Sequence, residues 1–366
     1  MNILYCISDH GYGHATRSIP TINLLLERDH TIIIRNKNAI QLLKKELVIQ
    51  PTKKTKNTST NKAKKIFFIK QQNDIGVLQK KNSYIVDKKA TKNAVTQWMN
   101  NWLQDIKKLR AIIKKHHVEL VISDSSPQPH LAATQENIPS LFLGSFTWLD
   151  IYKPIHTLNK KQEKIMRRTY NNAHAGIILP FNQLCDGVKN QHCVSLIGRA
   201  AKKTLRPIQN SILYTLGGGS LAGTKQWNTK NFTGTMIISS WVKNSPTKRY
   251  LKIDEHIPSV EYTNAATLVL GKSGYSISAE AMRCKKPMFY IKRKGFNDDD
   301  VVTKEITRLG IGVVIKEKDL AKIVTDNLFK RAQKLQKHYK HLPSLYRRDG
   351  AKEALKIIEQ YAPIKK

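Results

Sequence analysis

Short apolar runs that alternate with helical patterns constrain this chain more than any other feature. In the first half they have the length and β-branched content of strands: NILYCIS (2–8), TIIIR (31–35), IFFI (66–69), VELVIS (118–123), SLFLG (140–144) and AGIILP (175–180). Helical patterns at 19–28 and 93–116 lie between them. Strands that alternate with helices form βαβ units, because parallel strands need a crossover connection. The pattern therefore predicts an α/β fold with a parallel sheet.

A second alternating series follows a break in the pattern. The segment IGRAAKKTLRPIQN (197–210) is basic and polar and contains a proline, which is typical of a linker. The strands expected after it are SILYTL (211–216), TMIIS (235–239), TLVLG (267–271), PMFYI (287–291) and IGVVI (311–315), with helices at 275–284, 300–308, 318–339 and 349–361. A chain of 366 residues also exceeds the size at which a single core keeps growing. We therefore predict two α/β domains, at 1–200 and 208–345.

The charge of the chain is strongly positive, because 63 Lys and Arg stand against 27 Asp and Glu, a formal +36. Such a surface attracts anions, whether lipid headgroups, nucleic acid or an acidic polymer. A lysine-rich composition that serves no partner explains the same charge, and the sequence leaves both explanations open.

The cysteines and the hydropathy indicate the compartment. Cys6, Cys185, Cys193 and Cys284 have neither the spacing of a zinc site nor that of a redox pair, so reduced thiols are expected. The first apolar run is too short for a signal peptide, and no run approaches the ~18 residues of a membrane span. We expect a cytoplasmic protein that is at most peripheral to a membrane.

A glycine- and histidine-rich segment, DHGYGHATR (9–17), directly follows the first strand. Ligands of open α/β sheets bind at the carboxyl ends of strands. The segment offers glycines for close backbone approach and side chains that act as bases or cations: Gly11, Gly13, His10, His14 and Arg17. It is not a dinucleotide fingerprint, because Thr16 stands where the third glycine belongs. The plainer alternative is a tight turn with hydrogen-bonded histidines.

The glycine run LGGGS (216–220) follows the first strand of the second series. The consecutive backbone N–H groups of Gly218, Gly219 and Ser220 can turn toward a phosphate oxygen. The run lacks the G-K-[ST] ending of a nucleoside triphosphate loop, so phosphate cleavage is not indicated.

The sharpest motif is GKSGYSISAEA (271–281), a further turn from a strand into a helix. Ser273 and Gly274 precede the helix, whose N-terminus favours an anion. Glu280, about one turn inside, is placed to accept hydrogen bonds from two neighbouring hydroxyls such as a ribose diol. A solvated helix face is the alternative for this residue.

Together these motifs resemble the GT-B superfamily of glycosyltransferases. The G-x-G-H loop, the GG-x-S loop and the S-G-x-x-x-x-E-A helix, followed by a K-P strand and an N-D-D stretch, are similar to glycosyltransferase family 28. That family includes the N-acetylglucosaminyl transferase of peptidoglycan synthesis and related archaeal and bacterial proteins. The resemblance covers nearly the whole chain and is most specific over residues 271–300.

The resemblance implies two Rossmann-like domains that face each other across a cleft, with the C-terminal helix, at 346–366, returning to the first domain. It implies metal-independent transfer of a hexosyl or N-acetylhexosaminyl group from a nucleotide sugar to a hydroxyl acceptor. The expected donor is a UDP-sugar, which is a co-substrate, and no cofactor is implied. The HGYGHATR loop differs from the G-G-T-G-G-H of the peptidoglycan enzyme, so the acceptor is open, with a lipid or cell-envelope precursor as one candidate.

The resemblance also implies roles for particular residues. His14 faces the reaction centre as the base, with His10 in reserve. The donor contacts are Gly218, Gly219, Ser220, Ser273 and Gly274 on the diphosphate, Glu280 on the ribose, and Asn297, Asp298 and Asp299 near the sugar. The DDD run (298–300) is not interpreted as a metal-binding D-x-D motif. Asp124, at a strand end, either orients a histidine, as in plant and animal relatives, or caps the helix that follows.

Two other functions fit the same fold. One is a sugar-nucleotide 2-epimerase or hydrolase, and the other is a non-catalytic protein that binds a nucleotide sugar or a polyanion. The lysine-rich segment 51–65, which runs into KKIFFIK (64–70), predicts docking on the anionic inner face of a membrane, with nucleic acid as the less favoured partner. A buried strand beside a surface loop is the alternative for that segment.

Overall fold

The chain forms two compact units. The computed structural model describes residues 1–48, 66–81, 85–215, 232–240, 242, 247–316, 319 and 327–362. The N-terminal unit comprises Met1–Val77, Lys88–Ile197 and Asp349–Lys366, and the C-terminal unit comprises Leu78–Asp87 and Gly198–Arg348. Each unit has its own parallel sheet.

The sheet of the N-terminal unit has the order β3-β2-β1-β4-β5-β6-β7 among the described residues. Its strands are β1 (Asn2–Ile7), β2 (Thr31–Arg35), β3 (Ile66–Ile69), β4 (Leu120–Asp124), β5 (Ser140–Gly144), β6 (Ala175–Ile178) and β7 (Gln191–Cys193). Its helices are α1 (Gly13–Glu27), α2 (Ile40–Val48), α3 (Lys88–Asn100), α4 (Trp102–Lys115), α5 (Gln128–Gln135), α6 (Trp148–Tyr152) and α7 (Lys160–Tyr170). Every side chain of β4, β5 and β6 is buried, as parallel strands between two helical layers require.

The sheet of the C-terminal unit has the order β10-β9-β8-β11-β12-β13 among the described residues. Its strands are β8 (Ser211–Thr215), β9 (Thr235–Ile238), β10 (Tyr250–Lys252), β11 (Leu268–Lys272), β12 (Met288–Ile291) and β13 (Gly312–Ile315). Its helices are α8 (Ser259–Ala265), α9 (Tyr275–Arg283), α10 (Asn297–Arg308), α11 (Asn327–Gln336) and α12 (Ser344–Arg347). The α/β alternation predicted from the sequence is confirmed in both units.

The two sheets reverse their strand order at equivalent places. In the N-terminal unit the reversal lies between β1 and β4, where Ile7 pairs with Asp124. In the C-terminal unit it lies between β8 and β11, where Thr215 pairs with Gly271. Open α/β sheets bind ligands outside the carboxyl ends of the strands at such a point. The segments that follow these four strands are therefore the candidate site segments.

Several predicted elements differ from the structure. Helix α1 begins at Gly13 rather than near residue 19, so His14 and Arg17 lie on a helix and not in a loop. The helix predicted at 93–116 is two helices, α3 and α4, separated at Asn101. The short strands β7 and β10 were not predicted, because all six of their residues are exposed and form no apolar run. Of the helix predicted at 318–339, residues 317, 318 and 320–326 lie outside the described residues.

The apolar run at 66–69 forms β3 at the edge of its sheet, and it is only partly buried. The run is a strand, as the alternative predicted, but it is not buried, because Phe67 is 46% exposed and the other three residues are half-buried. The lysine-rich segment 51–65 lies outside the described residues. In the described part of the chain, no helix is both long enough and apolar enough to cross a bilayer.

The C-terminal helix α13 (Gly350–Gln360) belongs to the N-terminal unit and packs against α1. Asp349 caps the helix by accepting a hydrogen bond from the Ala351 amide at 3.1 Å. Glu353 accepts hydrogen bonds from the amide and the hydroxyl of Ser195, at 2.7 and 3.0 Å. These contacts tie the end of the chain to the segment that follows β7.

We expect Gly350→Ala to destabilise the N-terminal unit. A Cβ at this position would lie 1.8 Å from the carbonyl oxygen of Ser195, and a backbone atom cannot move aside cheaply. Overpacking of this kind costs about 1–3 kcal/mol, which guanidinium unfolding followed by circular dichroism should detect. Lys352→Ala, at an exposed position of the same helix, is the control and should leave the midpoint nearly unchanged. Equal midpoints for the two variants would contradict the packing argument.

Candidate active site

A row of buried polar side chains begins α1. His14, Arg17 and Ser18 are spaced i, i+3 and i+4, so they share one face of the helix. This face lies against the end of β4, where the side chain of Asp124 is fully buried. Gly11, with φ of 73°, forms the turn between β1 and the helix. The structure thus brings together three of the residues singled out in the sequence: His14, Arg17 and Asp124.

The carboxylate of Asp124 is the centre of this cluster. Its Oδ1 lies 2.7 Å from Nδ1 of His14 and accepts a hydrogen bond from Nη2 of Arg17 at 2.5 Å. Its Oδ2 accepts one from Nε of Arg17 at 2.8 Å and one from the hydroxyl of Ser18 at 3.3 Å. Burial raises the pKa of Asp124, but the Arg17 guanidinium and the His14 ring outweigh it and hold that pKa below its usual range. Asp124 is therefore ionised at neutral pH.

The two ring nitrogens of His14 have different roles. Nδ1 lies within hydrogen-bonding distance of both Oδ1 of Asp124, at 2.7 Å, and Nη2 of Arg17, at 2.9 Å. An ionised carboxylate has no proton to give, so we assign the proton to Nδ1, which donates to Asp124. Nη2 of Arg17 then donates to Asp124 and to the hydroxyl of Ser125. In this tautomer the lone pair lies on Nε2, which is the arrangement of a general base.

The turn after Asp124 is strained. Ser125 has φ of 64°, a left-handed conformation that costs a non-glycine residue about 1–3 kcal/mol. Its carbonyl accepts a hydrogen bond from the Tyr170 hydroxyl at 2.6 Å. Its own hydroxyl accepts from Arg17 at 3.1 Å and lies 3.2 Å from Oδ1 of Asp124, to which it can donate. The N-cap of the following helix is Pro127, so the alternative role of Asp124 as a helix cap is wrong.

Aromatic rings surround His14. The ring centroids of Phe146 and Trp148 lie 5.8 and 6.4 Å from that of His14. The half-buried His10 ring stands perpendicular to Trp148 at 5.6 Å and lies 6.4 Å from His14. Gly76, with φ of 70°, leaves room for His10, because a Cβ on residue 76 would lie 2.2 Å from Nδ1 of His10. The sequence analysis did not single out Trp148. Its position shortly after the carboxyl end of the buried strand β5, where ligands of such sheets bind, could have indicated it.

In the C-terminal unit, Ser273 and Gly274 lie between β11 and α9, as predicted. Ser273 is fully buried, and its hydroxyl has no hydrogen-bond partner among the described residues. Gly274 is the N-cap of α9, and a Cβ there would meet nothing within 4 Å. The helix start therefore has open space at Gly274 and an unsatisfied hydroxyl on the residue before it, a combination that suits an anion.

Lys272, the last residue of β11, was given no role from the sequence. Burial lowers the pKa of Lys272 to about 8, and the positive charge of Arg293 acts in the same direction. The carboxylates of Asp299 and Asp298 oppose this shift. A half-buried cation at the start of α9 would gain from a bound anion. In the sequence, the position of this lysine within the G-K-S-G turn could have indicated an anion site.

The predicted donor-site acids are buried. Oε1 of Glu280 accepts a hydrogen bond from Nε of Arg199 at 2.7 Å, so the alternative of a solvated face is wrong. Asp299 accepts hydrogen bonds from the amide of Arg293 at 2.7 Å and from its guanidinium at 2.5 Å. Asn297 and Asp298 lie in the first turn of α10 beside them. Gly218, Gly219 and Ser220 lie outside the described residues.

The described part of the chain contains no group of three His, Cys, Asp or Glu side chains arranged to hold a metal ion. The acidic run at 298–300 is divided between two ion pairs instead, Asp299 with Arg293 and Asp300 with Lys292.

Solved glycosyltransferases share this fold over nearly their whole length. The calicheamicin glycosyltransferase CalG4 is 14% identical, with a TM-score of 0.63, and the match covers 98% of each chain. UGT2 of Phytolacca americana, solved with UDP-2fluoro-glucose and pterostilbene, is 11% identical, with a TM-score of 0.62, and the match covers 98% of this chain and 99% of that one. At these identities the likeness shows the fold, and the fold is GT-B.

Sequence comparisons give two further likenesses. Residues 1–178 match the family model of Glycosyl transferase family 1, whereas the motifs resembled family 28. L-arabinokinase of Arabidopsis thaliana is 21% identical over 346 residues, which are 86% of this chain. The chain spans only 30% of the length of that relative.

We expect Asp124→Ala to destabilise the N-terminal unit strongly, because Arg17 would keep a buried charge without its partner. Removing one member of a buried ion pair costs about 3–5 kcal/mol. The control is Glu359→Ala, which removes a surface pair with Arg28 whose side chains are 40% and 61% exposed. That change should cost at most about 1 kcal/mol. Urea unfolding of both variants measures the difference, and similar losses would show that the buried cluster is not a stabilising centre.

Proposed function

We propose that the protein is a glycosyltransferase that moves a sugar from a nucleotide-sugar donor to an acceptor hydroxyl without a metal ion. The observation that carries the proposal is the buried cluster of His14, Asp124 and Arg17 at the reversal point of the first sheet. We propose a UDP-sugar as the donor, because the similar UGT2 was solved with UDP-2fluoro-glucose.

In the proposed reaction, Nε2 of His14 takes the proton of the acceptor hydroxyl as its oxygen bonds to the anomeric carbon. The bond between that carbon and the diphosphate breaks, and the diphosphate leaves with the electron pair. The imidazolium that forms on His14 is stabilised by the ionised Asp124, which already bonds its Nδ1. Arg17 keeps Asp124 ionised and so holds the tautomer that leaves the lone pair on Nε2.

The donor diphosphate would lie at the start of α9. The buried Ser273 hydroxyl, the amides after Gly274 and the ammonium of Lys272 offer donors and positive charge to it. Gly218, Gly219 and Ser220 are proposed to complete this site from the turn after β8. Asn297, Asp298 and Asp299 are proposed to lie near the donor sugar, with Asp299 fixed by its bonds to Arg293.

The identity of the acceptor stays a prediction. We propose a hydroxyl on a lipid or cell-envelope precursor, as in the family 28 enzymes that the motifs resemble. The exposed Phe67 of the edge strand β3 directly follows the lysine-rich segment and supports docking on an anionic membrane.

We expect His14→Ala to lower the rate of transfer by about 100-fold to 10,000-fold while the donor still binds. UDP release from a panel of UDP-sugars, with and without candidate acceptors, measures the rate, and calorimetry with UDP measures binding. His10→Ala is the matched control from the same segment and should keep most of the activity. Full turnover in the His14 variant would exclude the assigned role, and UDP release that needs no acceptor would favour a hydrolase.

We expect Glu280→Gln to weaken the binding of UDP through its ribose, because a charge-assisted hydrogen bond contributes about 1.5–3 kcal/mol. Calorimetry with UDP and with 2′-deoxy-UDP separates the ribose contact from the rest of the site, and the variant should bind both with similar affinity. Arg199→Lys disturbs the partner of Glu280 in the fold and is the control, which should keep the preference for UDP. If Glu280→Gln still preferred UDP over 2′-deoxy-UDP but unfolded more easily, Glu280 would serve only as the structural partner of Arg199.

A further inference from the structure

A second buried carboxylate, Asp74, lies beside the His14 cluster in the N-terminal unit. Its side chain is fully buried, and each of its oxygens accepts two hydrogen bonds. Oδ1 accepts from the hydroxyl of Ser8 and from the amide of Asp9, both at 3.0 Å. Oδ2 accepts from the hydroxyl of Ser126 at 2.5 Å and from the indole Nε1 of Trp148 at 2.9 Å. All four donors are neutral groups.

These donors come from the segments that hold the candidate base. Ser8 and Asp9 follow β1 and lead directly into the His10–His14 segment. Ser126 lies two residues after Asp124, in the strained turn after β4. Trp148 begins α6, and its ring lies 6.4 Å from that of His14. The carboxylate of Asp74 therefore links three parts of the unit: the segment that leads to His14, the turn after Asp124, and the Trp148 ring beside His14.

We propose that Asp74 is a positioning residue that holds His14 and Asp124 in register through these four hydrogen bonds. The catalytic consequence rests on the proposed function, but the positioning itself does not. Asp74 acts on these two residues through Ser8, Asp9, Ser126 and Trp148.

A carboxyl group satisfies this arrangement, whereas a carboxamide does not. The amide of Asp9 and the indole of Trp148 can donate but cannot accept, and one of them faces each oxygen of Asp74. An asparagine in either orientation would turn its NH₂ group toward one of these N–H groups. The hydroxyls of Ser8 and Ser126 can rotate and either donate or accept. The two N–H groups can only donate, so each oxygen of Asp74 must be able to accept a hydrogen bond.

The surroundings of Asp74 make its charge sensitive to pH. Burial raises the pKa of Asp74 to about 7, and the negative charge of Asp9 acts in the same direction. The hydrogen bonds from Ser126 and Trp148 oppose the shift. The other titratable groups that face this position are the hydroxyls of Tyr152 in α6 and Tyr170 in α7, while Arg35 from the end of β2 acts on Asp9. As the pH falls through about 7, Asp74 takes up a proton and the four-donor arrangement weakens.

The indole N–H of Trp148 reports on this carboxylate without any substrate. The chain has 5 tryptophans, so the ¹H–¹⁵N cross-peak of Trp148 is assigned by its loss in Trp148→Phe. We expect this peak to shift with pH with a midpoint near 7 in the wild-type protein, and not to titrate in Asp74→Asn. Ser126→Ala removes one hydrogen bond that lowers the pKa of Asp74, so it should move the midpoint upward. This milder variant also tests the proposal if Asp74→Asn does not fold.

Kinetics then test the positioning role. In Asp74→Asn, kcat for UDP release should fall by roughly 10-fold to 100-fold with little change in the KM of the UDP-sugar, because misplacement of the base affects the chemical step. Glu359→Gln removes another acid of the same unit, the exposed partner of Arg28, and is the control that should keep kcat. An indole peak whose position Asp74→Asn leaves unchanged, or an equal loss of kcat in the control, would overturn the proposal. If no transfer is found at all, the proposed function fails while the indole titration still decides the link to Asp74.

Discussion

The buried ion pair between Arg17 and Asp124 is the interaction on which the N-terminal unit depends. A charge that leaves water must be paired, and here the partners come from the first turns of α1 and the end of β4. This requirement fixes the start of the helix against the fourth strand, at the point where the order of the sheet reverses. His14 is held by the same carboxylate, so one contact both stabilises the fold and orients the candidate base.

The two units use the same strand order for different chemistry. At the reversal point of the first sheet, the chain places a histidine, an acid and an arginine in a buried cluster. At the reversal point of the second, it places a helix start with a buried serine and a half-buried lysine. The first set can move a proton, and the second can bind an anion. This division agrees with a transfer in which one domain activates the acceptor and the other holds the leaving group.

Much of the fold was predictable, because the central strands are continuous apolar runs. β2, β3 and β5 have the predicted bounds, whereas the exposed strands β7 and β10 have no such run. The start of α1 was misplaced because Gly11 and Gly13 suggested a loop, which hid the helical spacing of His14 and Arg17. Asp74 could not be found from the sequence, since its four partners come from three separate segments. Glu280 was singled out in the sequence, but its partner Arg199, which lies 81 positions away, was not.

Ser125 connects the stability of this protein with its chemistry. Its left-handed backbone would be relaxed by a glycine, and a chain selected only for thermal resistance would be expected to have one. A glycine would remove the hydroxyl that accepts from Arg17, and with it one of the contacts that keep the guanidinium in line with Asp124. The serine therefore makes the turn less stable than a glycine would, and in return its hydroxyl keeps Arg17 aligned with Asp124.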